Sequence, residues 1–201
     1  RPRFNSPSLP LPRTARASIL ISSSADTELC MTFLDTLILH FCRLGPAGLF
    51  PKAPGTAGSF LAVLLSPFIF LPLSLPWRLG LLLLLFLMGG FAASRAEVLL
   101  GRQDPGCVVI DELVGQWVTM LCLGGFSAAS TWKDAVFLLI PFFFFRLFDI
   151  LKPWPVHASE SWLPSGWGIM IDDVLAGVWA LLCVSIVMLT MRIVAPGLLT
   201  L

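Results

Sequence analysis

Long apolar runs separated by short polar connections make up most of this chain. A helix that crosses a bilayer needs about 20 mostly apolar residues. The positions of the uncharged runs therefore predict five membrane-crossing helices, at about 59–76, 79–95, 113–130, 133–149 and 174–192. A shorter helix is predicted over 31–44, where Gly45-Pro46 ends it. The predicted fold class is all-α, a multi-helix membrane bundle of about five apolar helices.

The composition agrees with a membrane protein. Apolar residues make up 57% of the chain and charged residues 12%, whereas soluble domains carry roughly a quarter charged residues. The net charge of +1 gives no support for nucleic-acid binding. The five cysteines show no CxxC spacing and are interpreted as free, reduced thiols. A membrane enzyme and a membrane carrier are the two function classes that remain.

The first thirty residues differ from the rest. They are rich in Arg, Ser and Pro and contain no acid before Asp26. One interpretation is an over-long gene prediction, with the native start at Met31; the other is an organellar transit peptide. We favour the first interpretation. We expect a disordered or non-native extension over 1–30 and one membrane domain over 31–201.

The five predicted helices place the connecting segments alternately on two sides of a membrane. One side, with its border residues, collects six cations: Arg43, Lys52, Arg95, Arg102, Arg146 and Lys152. The other side collects three: Arg78, Lys133 and Arg192. Short loops rich in Lys and Arg stay cytosolic, so the first side is predicted to face the cytosol. The polar motifs lie on this side, and we expect the active site there.

Two pairs of adjacent acids, Asp111-Glu112 and Asp172-Asp173, directly precede apolar runs. Carboxylates beside hydrocarbon are costly unless a cation holds them. Capping of a helix start is the alternative for each pair. Oxygen ligands without clustered His or Cys suit Mg²⁺, and the chain has only two His. We therefore predict an Mg²⁺ site formed by Asp111, Glu112, Asp172 and Asp173.

The segment PKAPGTAGS at 51–59 is a candidate anion-binding loop. Its glycines let backbone N–H groups approach a phosphate, and the helix that follows presents its positive dipole end. We expect substrate binding by Gly55, Thr56, Gly58 and Ser59, with Lys52 adding positive charge. The alternative is a Pro/Gly loop with an N-cap Ser.

Arg146, Asp149 and Lys152 share one helix face because they are spaced by three residues. An internal ion pair with side chains extended toward water is the alternative interpretation. With Lys52, the two cations are predicted to neutralise charge on a phosphoryl group. Asp149 is a candidate either for orienting Arg146 or for acting as a general base. A covalent aspartyl intermediate at one of the acids also stays open.

Four segments in order carry a resemblance to a known family. They are PKAPGTAGS at 51–59, VIDELVGQWV at 109–118, FRLFDILKPWPV at 145–156 and GWGIMIDDVLAGV at 166–178. Together they closely resemble phosphatidylglycerophosphatase A, a family of bacterial inner-membrane enzymes. The resemblance implies Mg²⁺-dependent hydrolysis of phosphatidylglycerophosphate to phosphatidylglycerol and phosphate. It also implies a multi-pass protein with a phospholipid substrate and a cytosolic active site; residues 1–30 lie outside the family's pattern.

A small membrane carrier or channel is the rival function, with the acid pairs as an ion pathway. That function predicts charges on both sides or at mid-membrane, and inverted repeats. The sequence shows neither feature. No oligomeric state is predicted.

Overall fold

The structure is a computed structural model that describes residues 32–123, 137–159 and 161–194. All the helices and turns of these residues are of the α or 3-10 type, and these ranges contain no strand, which confirms the all-α class. The chain divides into two units, Arg1–Leu34 and Asp35–Leu201, and the packing between helices lies within the second. The predicted extension over 1–30 lies outside the described residues and stays a prediction.

Seven α-helices follow one another in the described ranges. They are α1 (Phe33–Cys42), α2 (Pro54–Ile69), α3 (Leu75–Leu100), α4 (Ile110–Thr119), α5 (Leu139–Leu151), α6 (Val156–Ser159) and α7 (Gly166–Val194). Short 3-10 turns cover Ala47–Leu49 and Met120–Cys122. Helix α7 packs against α3, α4, α5 and α6, and α2 packs against α4. Helices α4 and α7 therefore form the centre of the bundle.

Several helix bounds differ from the predicted ones. Helix α7 begins at Gly166 instead of 174, so Asp172 and Asp173 lie inside it, and proline lies in the first turns of α2 and α3. Helix α2 starts at Pro54 and ends at Ile69, instead of running over 59–76. Helix α3 starts at Leu75 with a proline in its first turn. Pro67 lies inside α2 shortly before its end, and Pro76 lies in the first turn of α3, where proline is favoured. The chain therefore turns between α2 and α3 instead of continuing one helix to 76.

Two helices of the described residues are long and apolar enough to cross a membrane. Helix α3 has 26 residues and α7 has 29, and the most apolar 18-residue stretches within them have mean hydropathies of 1.8 and 2.4. Helix α2 is apolar but has 16 residues, short of the roughly 20 that a bilayer requires. The helix predicted at 113–130 is wrong in its bounds, because α4 covers Ile110–Thr119 and a 3-10 turn follows it. The rest of that segment and the start of the helix predicted at 133–149 lie outside the described residues. Of about five expected crossings, two are therefore supported by the length and hydropathy of described helices.

Helix α4 lies in the protein interior. Every one of its residues except Glu112 is buried. Trp117 donates its indole N–H to the Ala62 carbonyl of α2 at 2.9 Å and stacks on Phe70 with 5.0 Å between ring centroids. These contacts fix the depth and rotation of α4, and with them the position of its first turn.

Glycines bring α4 and α7 into backbone contact. A Cβ added to Gly115 would lie 2.6 Å from the carbonyl oxygen of Asp173. One added to Gly177 would lie 2.5 Å from the carbonyl oxygen of Gly115. Both distances are too short for a side chain, so only glycine allows this approach. The acid pair at the start of α4 consequently lies beside the acid pair of α7.

Candidate active site

A cavity of about 660 Å³ lies where five segments of the chain meet. The start of α2, the end of α3 with its connection to α4, the start of α4, the end of α5 and the first turns of α7 form its walls. Its charged lining residues are Lys52, Glu97, Asp104, Asp111, Glu112, Arg146, Asp149, Lys152, Asp172 and Asp173. The cavity therefore gathers side chains from all four segments that the sequence singled out.

Three carboxylates cluster tightly in this cavity. One oxygen from each of Asp111, Glu112 and Asp173 lies within 4.8 Å of the others. Asp172 lines the same cavity but is not in this group, and it accepts a hydrogen bond from Lys152 Nζ at 2.7 Å. Of the four predicted metal ligands, the structure brings three together and places the fourth against a lysine.

Two buried oxygens of this cluster lack a partner. Among the described residues, Glu112 Oε2 and Asp173 Oδ2 accept no hydrogen bond. A buried carboxylate oxygen without a donor is expensive, because its hydration has been lost and nothing replaces it. A divalent cation bound by oxygen ligands would satisfy both atoms, so the residues present fit a magnesium ion.

Burial changes the protonation of the α4 acids. Burial, followed by the charge of Glu112, raises the pKa of Asp111 well above its usual range. Burial, followed by the charge of Asp173, raises the pKa of Glu112 to about 8. Carboxylates that are crowded away from water bind protons until a cation offsets their mutual repulsion.

The end of α5 supplies the cations of the cavity. Arg146 Nη1 lies 2.8 Å from Asp149 Oδ2 and 3.8 Å from Glu112 Oε1. Lys152 has a left-handed backbone with φ of 42°, and this residue ends the helix. The turn directs its ammonium group toward Asp172, and it lines the same cavity wall. Arg146 and Asp149 share a face of α5 as expected, whereas Lys152 lies just past the helix end and reaches the same cavity by its left-handed turn.

The glycine-rich segment forms the first turn of α2. Gly55 and Thr56 line the cavity with Lys52. A Cβ on Gly55 would lie 2.0 Å from Glu112 Oε1, so glycine is required for the carboxylate to approach. The first N–H groups of a helix have no intrahelical acceptor, and they are available to an anion in the cavity.

Two predicted phosphate-binding residues do not line the cavity. Gly58 is buried, and a Cβ there would contact Val109 at 2.8 Å. Ser59 is fully buried and donates a hydrogen bond to the Gly55 carbonyl at 3.0 Å. Its hydroxyl also accepts a hydrogen bond from Arg146 Nη1 at 3.3 Å. Ser59 thus contacts the arginine from behind the cavity wall.

Comparison with known proteins identifies the family. The sequence model of the family described as Phosphatidylglycerophosphatase A matches residues 40–188, which include the whole cavity lining. The chain belongs to the phosphatidylglycerophosphatase A family. The resemblance of the four sequence segments is thereby confirmed.

Three similar proteins come from bacteria. The chain is 35% identical over 142 residues to phosphatidylglycerophosphatase A of Escherichia coli, covering 69% of this chain and 77% of the relative. It is 35% identical over 147 residues to the Haemophilus influenzae protein of the same name, covering 73% and 86%. It is 38% identical over 144 residues to a Bacteroides thetaiotaomicron protein provisionally named a phosphatidylinositol-3-phosphatase, covering 70% and 86%. No solved structure matches the chain significantly.

The cavity of this phosphatidylglycerophosphatase A family member also contains residues that the sequence did not indicate. Glu97, near the end of α3, accepts hydrogen bonds from the Asp104 backbone N–H at 2.9 Å and from the Ser165 hydroxyl. Asp104 and Ser165 both have left-handed backbones, with φ of 44° and 57°. Glu97 thereby ties the connection before α4 to the residue that precedes α7. The only sequence signal was a single acid that follows a long apolar run.

Proposed function

We propose that this protein is a membrane phosphatase that hydrolyses phosphatidylglycerophosphate to phosphatidylglycerol and inorganic phosphate. Membership of the phosphatidylglycerophosphatase A family supports the substrate. The carboxylate cluster of Asp111, Glu112 and Asp173, opposite the cations of α5, carries the proposal because it combines a metal-binding group with phosphate-binding charges.

The proposed cofactor is Mg²⁺, held by Asp111, Glu112 and Asp173. When bound there, Mg²⁺ would neutralise phosphate charge and lower the pKa of a water. Asp172 lies next to this group and orients Lys152 at 2.7 Å. The acid pair of α7 therefore serves two purposes, with one residue toward the metal and its neighbour toward a cation.

The cations of the protein bind the phosphoryl oxygens in this proposal. Lys152 and Arg146 approach from the end of α5, and the exposed Lys52 lies at the start of α2. Asp149 contacts Arg146 at 2.8 Å, which supports a role in orienting the guanidinium group. Thr56 and the first-turn N–H groups of α2 donate hydrogen bonds to the same phosphate.

A multi-pass arrangement with the cavity at the cytosolic face is also part of the proposal. Helices α3 and α7 supply two crossings by length and hydropathy. Arg95 and Arg102 lie near the end of α3 that lines the cavity, and Arg43 follows α1. Arg78 and Arg192 lie at the other ends of α3 and α7. This distribution supports a cytosolic cavity under the positive-inside rule.

The test is release of inorganic phosphate by the purified protein in detergent. Phosphatidylglycerophosphate is supplied with Mg²⁺, with a chelator, and with Mg²⁺ restored. Phosphatidylinositol 3-phosphate is a second substrate, because one relative carries that name. We expect Mg²⁺-dependent release that is fastest with phosphatidylglycerophosphate. Equal release in chelator would overturn the metal assignment, and preference for the inositol lipid would overturn the substrate.

Asp111→Asn and Asp104→Asn form a matched pair for this assay. Both residues line the cavity, but only Asp111 belongs to the carboxylate cluster. We expect Asp111→Asn to abolish phosphate release and Asp104→Asn to retain most of it. Equal activity of the two variants would contradict the assigned role of the cluster.

A further inference from the structure

The start of α2 is preceded by exposed apolar side chains. Leu49 and Phe50 are 60% and 56% exposed. Lys52, two residues further on, lines the cavity. On the surface of a soluble protein, adjacent large apolar side chains beside a charged cavity would be costly, and such patches usually mark an interaction surface.

A second connection repeats this pattern at the cavity. The chain between Lys152 and Ser165, both of which line the cavity, carries Trp154, Trp162 and Leu163. Trp154 is 80% exposed and Trp162 is 55% exposed. Trp is enriched where a membrane meets water, because its ring is apolar and its N–H group is polar.

Leu49, Phe50, Trp154, Trp162 and Leu163 are called the apolar rim. The apolar rim comes from two connections that are distant in sequence, and both continue into residues of the charged cavity. A charged cavity with an apolar rim is complementary to a phospholipid, whose phosphate headgroup is bordered by hydrocarbon chains.

We propose that the apolar rim inserts into the headgroup–acyl boundary of a phospholipid bilayer, so that the lipid headgroup enters the cavity without leaving its leaflet. This inference rests on the proposed lipid phosphatase function and adds how the substrate reaches the site. Apolar faces of helices that lie at this boundary insert about 5–10 Å, and we expect a similar depth for the apolar rim.

The length of α3 is consistent with a cavity at a membrane interface. Trp77 is exposed near the start of α3, and Glu97 lines the cavity near its end. These two residues are about 30 Å apart along the helix axis, at a rise of 1.5 Å per residue. The hydrocarbon core of a bilayer is also about 30 Å thick. If Trp77 lies at one interface, the cavity and its rim lie at the other.

The test separates membrane-embedded from dissolved substrate. W154S/W162S is compared with the wild type on phosphatidylglycerophosphate in phosphatidylglycerol–phosphatidylcholine vesicles, and on a short-chain analogue below its micellar concentration. We expect KM for the vesicle substrate to rise about tenfold, as the loss of two partly inserted apolar side chains predicts. The kcat value and the turnover of the dissolved analogue stay within about twofold of the wild type.

W77S is the matched control, because Trp77 is also an exposed tryptophan but lies at the other end of α3. We expect its vesicle KM to match the wild type. An equal rise of KM in W77S would overturn the inference, since the effect would then not belong to the rim. Equal losses of W154S/W162S on both substrates would also overturn it.

A measurement independent of activity uses W154F/W162F, which keeps apolar rings at both positions. In vesicles that contain lipids brominated near the headgroup, we expect the share of quenched tryptophan fluorescence to fall relative to the wild type, while KM is preserved. An unchanged quenched share would overturn the inference even if the serine variants failed to fold. A wild type that is inactive on both substrates would instead overturn the proposed function and leave the quenching result valid.

Discussion

Buried charges near the two ends of α3 have contrasting environments. Near the start of the helix, Arg78 is only 3% exposed. Its guanidinium lies 5.5 Å from the centre of the Phe70 ring. Its N–H groups donate hydrogen bonds to three backbone carbonyls, those of Leu71, Leu73 and Leu123. The protein itself therefore provides the partners for this charge.

Near the end of α3, the carboxylates of the cavity lack such partners. Asp111 and Asp173 are as deeply buried as Arg78, yet Asp173 Oδ2 and Glu112 Oε2 accept no hydrogen bond from the described residues. A buried charge that the fold satisfies stabilises the folded state, whereas one left unsatisfied is retained for a ligand. We therefore propose that Arg78 contributes to stability and that the carboxylates are retained for function.

Among the substitutions that test this contrast, Asp173→Asn has the largest expected effect on activity. We expect phosphate release to fall by about 10³-fold or more, because a charged group that stabilises the reacting phosphate is lost. The midpoint of thermal unfolding without metal should stay the same or rise, because repulsion among the carboxylates is relieved. Steady-state assays and thermal unfolding in detergent measure both. A lower midpoint with normal turnover would reverse the assignment.

Arg78→Met should have the opposite consequences. Three buried carbonyls lose their donor, which we expect to destabilise the folded state by about 3 kcal/mol. Turnover per folded molecule should be unchanged at a permissive temperature. Arg78→Lys retains a charge with fewer donors and should recover part of the stability. A loss of turnover in Arg78→Met without a loss of stability would contradict the comparison.

Gly55→Ala changes the cavity without removing a charge. The new methyl group would lie 2.0 Å from Glu112 Oε1 and would displace that carboxylate. We expect kcat to fall by up to about 10²-fold, because a shift of about 1 Å in a catalytic group has effects of that size. Gly80→Ala is the control, since a Cβ there meets no atom within 4 Å. Equal kcat values for the two variants would argue against close contact between Gly55 and Glu112.

The smallest expected effect is a pH dependence of stability. The pKa of Glu112 is raised to about 8 from its usual value of 4.5, so the folded metal-free protein holds a proton that the unfolded chain releases. This contribution to stability is complete below the unfolded pKa and is lost as the pH rises through about 8. With chelator, the thermal midpoint should therefore fall across this range.

Two further measurements sharpen the pH prediction. Saturating Mg²⁺ should flatten the dependence, because the cation stabilises the ionised carboxylates. Glu112→Gln should weaken it in chelator. A wild-type midpoint that rises through pH 8 in chelator would contradict the assigned burial of this acid.

The sequence predicted which segments form the site, but not the direction of each side chain. Asp172 and Asp173 are adjacent, and both were expected to bind metal. On a helix, neighbours point about 100° apart, so Asp173 joins the carboxylate cluster while Asp172 faces Lys152. Only the rotation of α7 against α4 decides between them, and that rotation is a property of tertiary packing.

The role of Ser59 was obscured for a related reason. A helix start near 59 would have placed its hydroxyl at the mouth of the anion site. Because Pro54 begins α2 instead, Ser59 lies in the second turn, where it contacts Arg146. Glu97 was missed because its role depends on two left-handed residues from other segments, Asp104 and Ser165. No local sequence pattern indicates that these three residues come into contact.

The contact between Gly115 and Gly177 has a consequence for ion selection. The interval between the acids of α4 and those of α7 is set by main-chain atoms in contact, not by rotatable side chains. Main-chain atoms in a packed interior yield little to strain. In the proposed metal site, the spacing of the two helices would therefore limit the radius of the ion that the carboxylates bind. Moving the two helices apart would therefore change the size of the ion that the proposed site accepts.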